Sequence, residues 1–171
     1  MYSLEFEKAF RKTLDLEGGD KYTNIEGDNG GETKYGISKK AFPNEDIKNL
    51  TLERAKYLHY TYYWEPLKLD GVDSHIAEEM YDTAFNMGVG TAIKILQDSI
   101  NFLSPSNTLE VDGKMGPKTL ESFKYWINKD EEALFRCLNG FQFMRFVQIV
   151  LHNNTQKKFS RGWMKRIQDF S

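Results

Sequence analysis

The stretch "LEGGDKYTNIEGDNGGETKYGIS", residues 16–38, holds six glycines and five carboxylates, and it follows a segment of a different kind. Upstream of it, Phe6, Phe10 and Leu14 repeat every four residues, with Ala9 widening the stripe and Ser3 placed to cap the first turn. That spacing predicts an amphipathic helix over 4–17. Gly18 and Gly19 stop it, because glycine accepts the left-handed conformation that closes a helix. Glu17 lies one turn beyond Leu14 on the same apolar stripe, so it reads as a partly buried carboxyl. Residues 20–37 have no helical period. Asp28-Asn29-Gly30-Gly31 is a turn signal, and Thr33, Tyr35 and Ile37 alternate onto one face of a short extended segment. A small β-hairpin or irregular loop is expected here.

Working outward, helices are predicted at 51–64, between a Thr51 cap and a Pro66 stop, and at 74–87, between an Asp73 cap and a Gly88 stop. A third covers 91–103, where Ile93, Leu96, Ile100 and Leu103 are apolar. The turn-rich connection 104–117 ends at Pro117, a residue suited to the first position of a helix over 117–127. Asp130 is placed to cap a long apolar helix to about 152, and a short helix closes the chain at 161–169. The fold class is mainly α, with one small β or loop excursion after the first helix.

Composition narrows the possibilities. The 12 Phe, 9 Tyr and 3 Trp suffice for a packed core, and the net charge of −2 leaves no nucleic-acid footprint. Within residues 154–171, Lys157, Lys158, Arg161, Lys165 and Arg166 stand against Asp169 alone. They read as a solvated helix face, with contact to an anionic polymer as the alternative. A lone Cys137 among Leu134, Phe135, Leu138 and Phe141 excludes an internal disulfide and reads as a small buried hydrophobe. His59, His75 and His152 are too scattered for a metal site, and no cofactor motif is present. No run approaches the ~18 apolar residues of a membrane span, so stable membrane insertion is not expected. The N-terminus carries no apolar run of signal-peptide length.

Chemistry concentrates around Glu17. Desolvation raises the pKa of such a carboxyl, as a general acid working at neutral pH requires. Asp28 and Thr33 follow in the turn-and-hairpin segment, where they are expected to face back toward the helix end. An acid on one side with a carboxylate and a hydroxyl across a cleft is what water-mediated glycoside cleavage needs. Taken singly, each has a plainer role: a helix-end glutamate, an Asx-turn former, a strand threonine. Asp20, Glu26 and Glu32 read as solvated loop charges. Tyr22, Tyr35, Tyr62, Tyr63 and Trp64 supply aromatic surface for sugar rings or, alternatively, for the core. Asp82 and Asn86 share one side of their helix at i and i+4, either lining a cleft or forming a satisfied buried pair.

These residues carry a family resemblance. The "EGG" that ends the first helix and the "GDNGGETKYGIS" after it resemble the signature of glycoside hydrolase family 108, the phage-type N-acetylmuramidases also known as secretion activator proteins. The likeness continues through "YYWEPL", "MYDTAFNMGVGTAIKILQ", "VDGKMGPKTL" and "FSRGWMKRI", nearly the whole chain. The part from about residue 88 resembles the peptidoglycan-binding domain usually fused to that catalytic region. Two positions depart from the pattern: Asp20-Lys21 precede Tyr22 where the family often has an aromatic, and Asn29 stands where it usually has proline.

The resemblance implies a lysozyme-like, mainly α fold, with a muramidase region over 1–87 and a helical peptidoglycan-binding-like region over 88–171 sharing one compact core. It implies cleavage of the β-1,4 bond between N-acetylmuramic acid and N-acetylglucosamine, with Glu17 as general acid and Asp28 and Thr33 positioning water or stabilising the oxocarbenium-like transition state. Tyr22, Tyr35, Trp64, Asp82 and Asn86 are the expected substrate contacts. The expected partner is a peptidoglycan glycan strand, with no cofactor or metal, and a monomer is favoured. Synthesis in the cytoplasm would then be followed by release through a holin, a secretion system or lysis. The rival reading is a non-catalytic wall-binding or secretion-accessory protein on the same scaffold.

Overall fold

The structure, a computed structural model, describes residues 2–16, 19–24, 31–72, 75–106 and 109–167. The chain divides into two compact units, Met1–Glu78 and Glu79–Ser171.

In the first unit, α1 (Leu4–Leu16) begins where the Phe6 amide donates to Ser3 Oγ at 3.3 Å, the predicted cap. It ends with Gly19 at φ 73°, whose N–H donates to the Leu14 carbonyl at 2.8 Å. Its buried face is Phe6, Ala9, Phe10 and Thr13. Against it lies α2 (Leu52–His59), capped as expected by Thr51, whose hydroxyl accepts from the Arg54 amide. Lys56 Nζ sits 3.0 Å from Glu7 on α1.

The helix predicted over 51–64 changes character partway. α-Helical bonding ends at His59, one wide π turn covers Tyr60–Trp64, and a 3-10 turn covers Glu65–Leu67. Pro66 therefore does not stop the helix. It occupies the first turn of the 3-10 segment, where no N–H is needed, and the chain leaves at Lys68 with φ 56°. The wide turn places Tyr60 and Trp64 edge-on to Phe6, with centroids 5.1 and 5.4 Å away.

The hairpin is shorter than the sequence suggests. β1 (Thr33–Lys34) pairs antiparallel with β2 (Ile37–Ser38) in the register Thr33↔Ser38 and Lys34↔Ile37. Tyr35 and Gly36, at φ 52° and 73°, form the two-residue turn between them. Positive φ at both positions is the geometry that matches strand twist. Tyr35 is thus a turn residue and does not share a strand face with Thr33 and Ile37. Ile37, Ile47, Leu50, Ala55 and Leu58 make a small core, with Tyr35 and Phe42 packed against it.

The second unit is helical. α3 (His75–Met87) begins just before the unit boundary, and the predicted Asp73 cap lies outside the described residues. Gly88, at φ 88°, turns the chain into α4 (Val89–Leu103), whose Ile93, Leu96 and Ile100 are buried as the periodicity requires. Buried Gln97 organises the connection to the next helix. Its amide nitrogen reaches Asp112 Oδ1 at 2.9 Å and Thr119 Oγ1 at 3.1 Å, and its oxygen accepts from the Gly113 N–H at 2.9 Å.

α5 (Pro117–His152) starts at Pro117 and is broken at Asp130, whose backbone is non-helical at φ −161° and ψ 79°. Asp130 Oδ1 accepts from the Ala133 amide at 3.0 Å, so the predicted cap sits inside one long kinked helix. Cys137 is only half-buried, against the sequence expectation, and burial still pushes its thiol pKa up. A 3-10 turn, Asn154–Phe159, leads into α6 (Ser160–Met164), where Trp163 stacks on Phe146 at 4.9 Å and 11°. Among the described residues no helix is long and apolar enough to cross a membrane. The mainly α, lysozyme-like class with a hairpin after the first helix is the one the sequence predicts.

Candidate functional site

The frame of the predicted site is set by how α1, the hairpin and α2 are tied together in the first unit. Thr23 and Thr33 form an isolated antiparallel bridge, exchanging both backbone hydrogen bonds at 2.9 and 2.8 Å. That bridge pins the backbone of Thr23 to Thr33 of β1. Beside it, the Tyr22 hydroxyl donates to Glu32 Oε1 at 2.6 Å. The carboxylate raises the phenol's pKa, because ionising the tyrosine would break the bond and set two negative charges together. Glu32, a loop charge in the sequence reading, also accepts this exposed hydrogen bond from Tyr22.

His59 ties the hairpin to both helices. Its Nε2 lies 2.9 Å from the Tyr35 carbonyl, and its ring meets Phe10 of α1 edge-on at 5.0 Å. A carbonyl can only accept, so Nε2 carries the proton and donates. Burial pushes the imidazole pKa down from 6.5 to about 4, outweighing the opposing effect of the Tyr35 bond. His59 is therefore neutral near pH 7 and acts as a structural clamp. In the sequence, the signal for this role is its place on the buried side of α2, one turn from Ala55.

The predicted site residues fare differently. Glu17 and Asp28 lie outside the described residues. Thr33 sits half-buried in β1, with Oγ1 3.5 Å from the Gly31 carbonyl, a long contact that holds the hydroxyl weakly. The Tyr22–Glu32 hydrogen bond lies beside the Thr23–Thr33 bridge in the chain. Tyr35 lies across the turn, its carbonyl spent on His59 and Lys34 Nζ 5.3 Å above its ring.

Trp64 is a correction. It is 0% exposed, packed on Phe6, with its indole N–H donating to Asp70 at 2.9 Å. No face of the ring is open to a sugar. Asp70, which also accepts from the Tyr60 hydroxyl, went unnoticed in the sequence; with that bond Tyr60 is pushed up to about 12.

Asp82 and Asn86 belong to the second unit, and Asp82 is also corrected. The Asp82 carboxylate is engaged by Arg166 at 2.8 Å, with both side chains largely shielded. Asn86 is exposed and spends its amide on the Asp82 backbone carbonyl at 2.8 Å. The pair does not present two free polar groups to a ligand. Arg166 in turn is not part of a purely solvated basic face.

Residues 10–88 match the family model described as Glycosyl hydrolase 108, and residues 91–168 match the one described as Predicted Peptidoglycan domain. Among solved structures, SagA of Brucella abortus is similar in fold, with a TM-score of 0.75 and 24% identity over 95% of this chain and 88% of that one. No curated protein matches the chain.

Proposed function

We propose that this chain, whose residues 10–88 match the glycosyl hydrolase 108 model and whose residues 91–168 match the predicted peptidoglycan domain model, is a muramidase cutting the β-1,4 bond between N-acetylmuramic acid and N-acetylglucosamine. The observation that carries this reading is the hydrolase match itself. It spans Glu17, Asp28 and Thr33 and is followed at once by a wall-directed segment. Glu17 is the general acid, giving its proton to the leaving glycosidic oxygen. Asp28 and Thr33 hold a water on the opposite face of the sugar, and as the water oxygen bonds to the anomeric carbon with inversion the Asp28 carboxylate takes its proton.

The Thr23–Thr33 bridge supports this reading, because it fixes the backbone of Thr33, one of the two residues assigned to the water. Tyr22, hydrogen-bonded to Glu32 and exposed, is a sugar contact. The enzyme works in the cell wall after leaving the cytoplasm, released by a holin, a secretion system or lysis.

Incubation with purified peptidoglycan tests the proposal by release of new reducing ends. Wild-type protein produces them, and Glu17→Gln, at unchanged circular dichroism, does not. Mass spectrometry separates hydrolysed ends from the anhydro-muramic ends of a transglycosylase. A wild-type protein that binds the wall yet releases neither product refutes the enzyme reading in favour of a wall-binding accessory protein.

A further inference from the structure

The second unit contains a groove of about 690 Å³ between the residues that follow α4 and the first half of α5. One of its walls is a single helical face, because Lys118, Glu121, Ser122, Tyr125 and Lys129 recur at spacings of three and four. Trp126 closes the bottom at 6% exposure, its indole N–H donating to Ser104 Oγ at 3.1 Å. Tyr125 stands edge-on to Trp126 at 5.7 Å and is 54% exposed. Lys129 Nζ lies over both rings, 5.2 Å from the Tyr125 centroid and 4.8 Å from that of Trp126.

Two features define what this groove takes. The ammonium of Lys129 sits over one face of each ring through cation–π contact, and buried Trp126, its N–H already used, offers a sugar ring no platform for stacking. Lys118 and Glu121, by contrast, are exposed and make no hydrogen bond or ion pair within the described residues. One turn apart on the same face, they offer a cation and a carboxylate roughly 5–6 Å apart at Cβ. Such a wall complements a ligand carrying both charges, with a carboxylate for Lys118 and Lys129 and an ammonium for Glu121.

We propose that this groove binds the peptide stem of peptidoglycan, through its free amine and carboxylates, and leaves the glycan strand to the first unit. The inference rests on the reading above that the chain works on the cell wall. It gives the second unit a role of its own, which is to hold the stem while the sugar backbone is cut, so that peptide-bearing strands are engaged ahead of bare ones. The free charges on α5 are available for this because nothing in the described residues neutralises them.

The test is titration of the full chain, watched through the indole N–H resonance of Trp126. One arm uses a soluble stem tetrapeptide that contains a diamino acid. The other uses a peptide-free oligosaccharide of alternating N-acetylglucosamine and N-acetylmuramic acid. The peptide is expected to shift the resonance saturably. Lys118→Glu and Glu121→Lys, at exposed positions that leave the fold unchanged, should each weaken that binding roughly tenfold or more, as loss of one charge-assisted contact requires. An unmoved resonance at millimolar peptide, or a shift that the peptide-free glycan reproduces, overturns the proposal. Failure of the muramidase reading shows separately, as peptide binding at this groove without release of reducing ends.

Discussion

Replacing His59 by glutamine tests the clamp that holds the hairpin to α1 and α2. The imidazole titrates at 6.5 when free and at about 4 in the fold. At ~1.4 kcal/mol per pH unit, that difference corresponds to about 3 kcal/mol of stability that depends on His59 being neutral. The sign follows from proton uptake. Between the two values the unfolded chain binds a proton that the folded chain refuses, so the stabilisation is complete above pH 6.5. It is lost progressively as pH falls to about 4, and below that it changes no further.

Glutamine can donate to the Tyr35 carbonyl but neither titrates nor packs on Phe10 as a ring does, so His59→Gln should cost about 1–2 kcal/mol at pH 7. Because the wild type then loses more than that on acidification, the two stability curves should cross near about pH 5.5. Urea denaturation of both proteins at half-unit steps from pH 7.5 to 4 measures this, and the carboxylates common to both cancel in the difference. Parallel curves over that range would refute the argument, showing that the imidazole is protonated or hydrated in the folded chain.

Other expected outcomes follow from single contacts. Trp64→Ala should destabilise the first unit by about 3–5 kcal/mol in thermal unfolding, as loss of a buried tryptophan does; a raised KM at unchanged stability would restore it as a sugar contact. Gly113→Ala should raise the unfolding rate and lower Tm, since a Cβ there would lie 2.8 Å from the Gly90 carbonyl oxygen at a φ of 75°. Asp130→Ala removes the cap at the break in α5 and should cost about 1 kcal/mol in denaturant titration, whereas Asp130→Asn should be nearly silent.

Much of the fold is legible because it is local. The capping hydroxyls of Ser3 and Thr51, the carboxylate of Asp130, Pro117 at a first turn and the left-handed Gly19 each act within five residues of their own position. The chain segment alone therefore specifies them. The four-residue repeat of Phe6, Phe10 and Leu14 works the same way, since a helix converts spacing into a face. The signature running from Glu17 through Asp28 to Thr33 likewise points to glycoside chemistry by residue type and order.

What the segment cannot specify is where a side chain's partner comes from. Tyr35 and Gly36 become the turn because the Lys34↔Ile37 pairing leaves those two residues to close the strands. Pro66 is passed rather than obeyed because the aromatic packing of Tyr60 and Trp64 on Phe6 rewards a widened turn ahead of it. Asp82 finds Arg166 eighty-four residues away, and that pairing turns an expected cleft residue into half of a shielded ion pair. His59 becomes a clamp only when the hairpin brings it the Tyr35 carbonyl. Helices, caps and the acid-bearing signature were thus determined by short-range chemistry written into the sequence. The assignment of an aromatic or a charge to core, clamp or open groove was decided by tertiary packing, because burial and pairing depend on residues far apart along the chain.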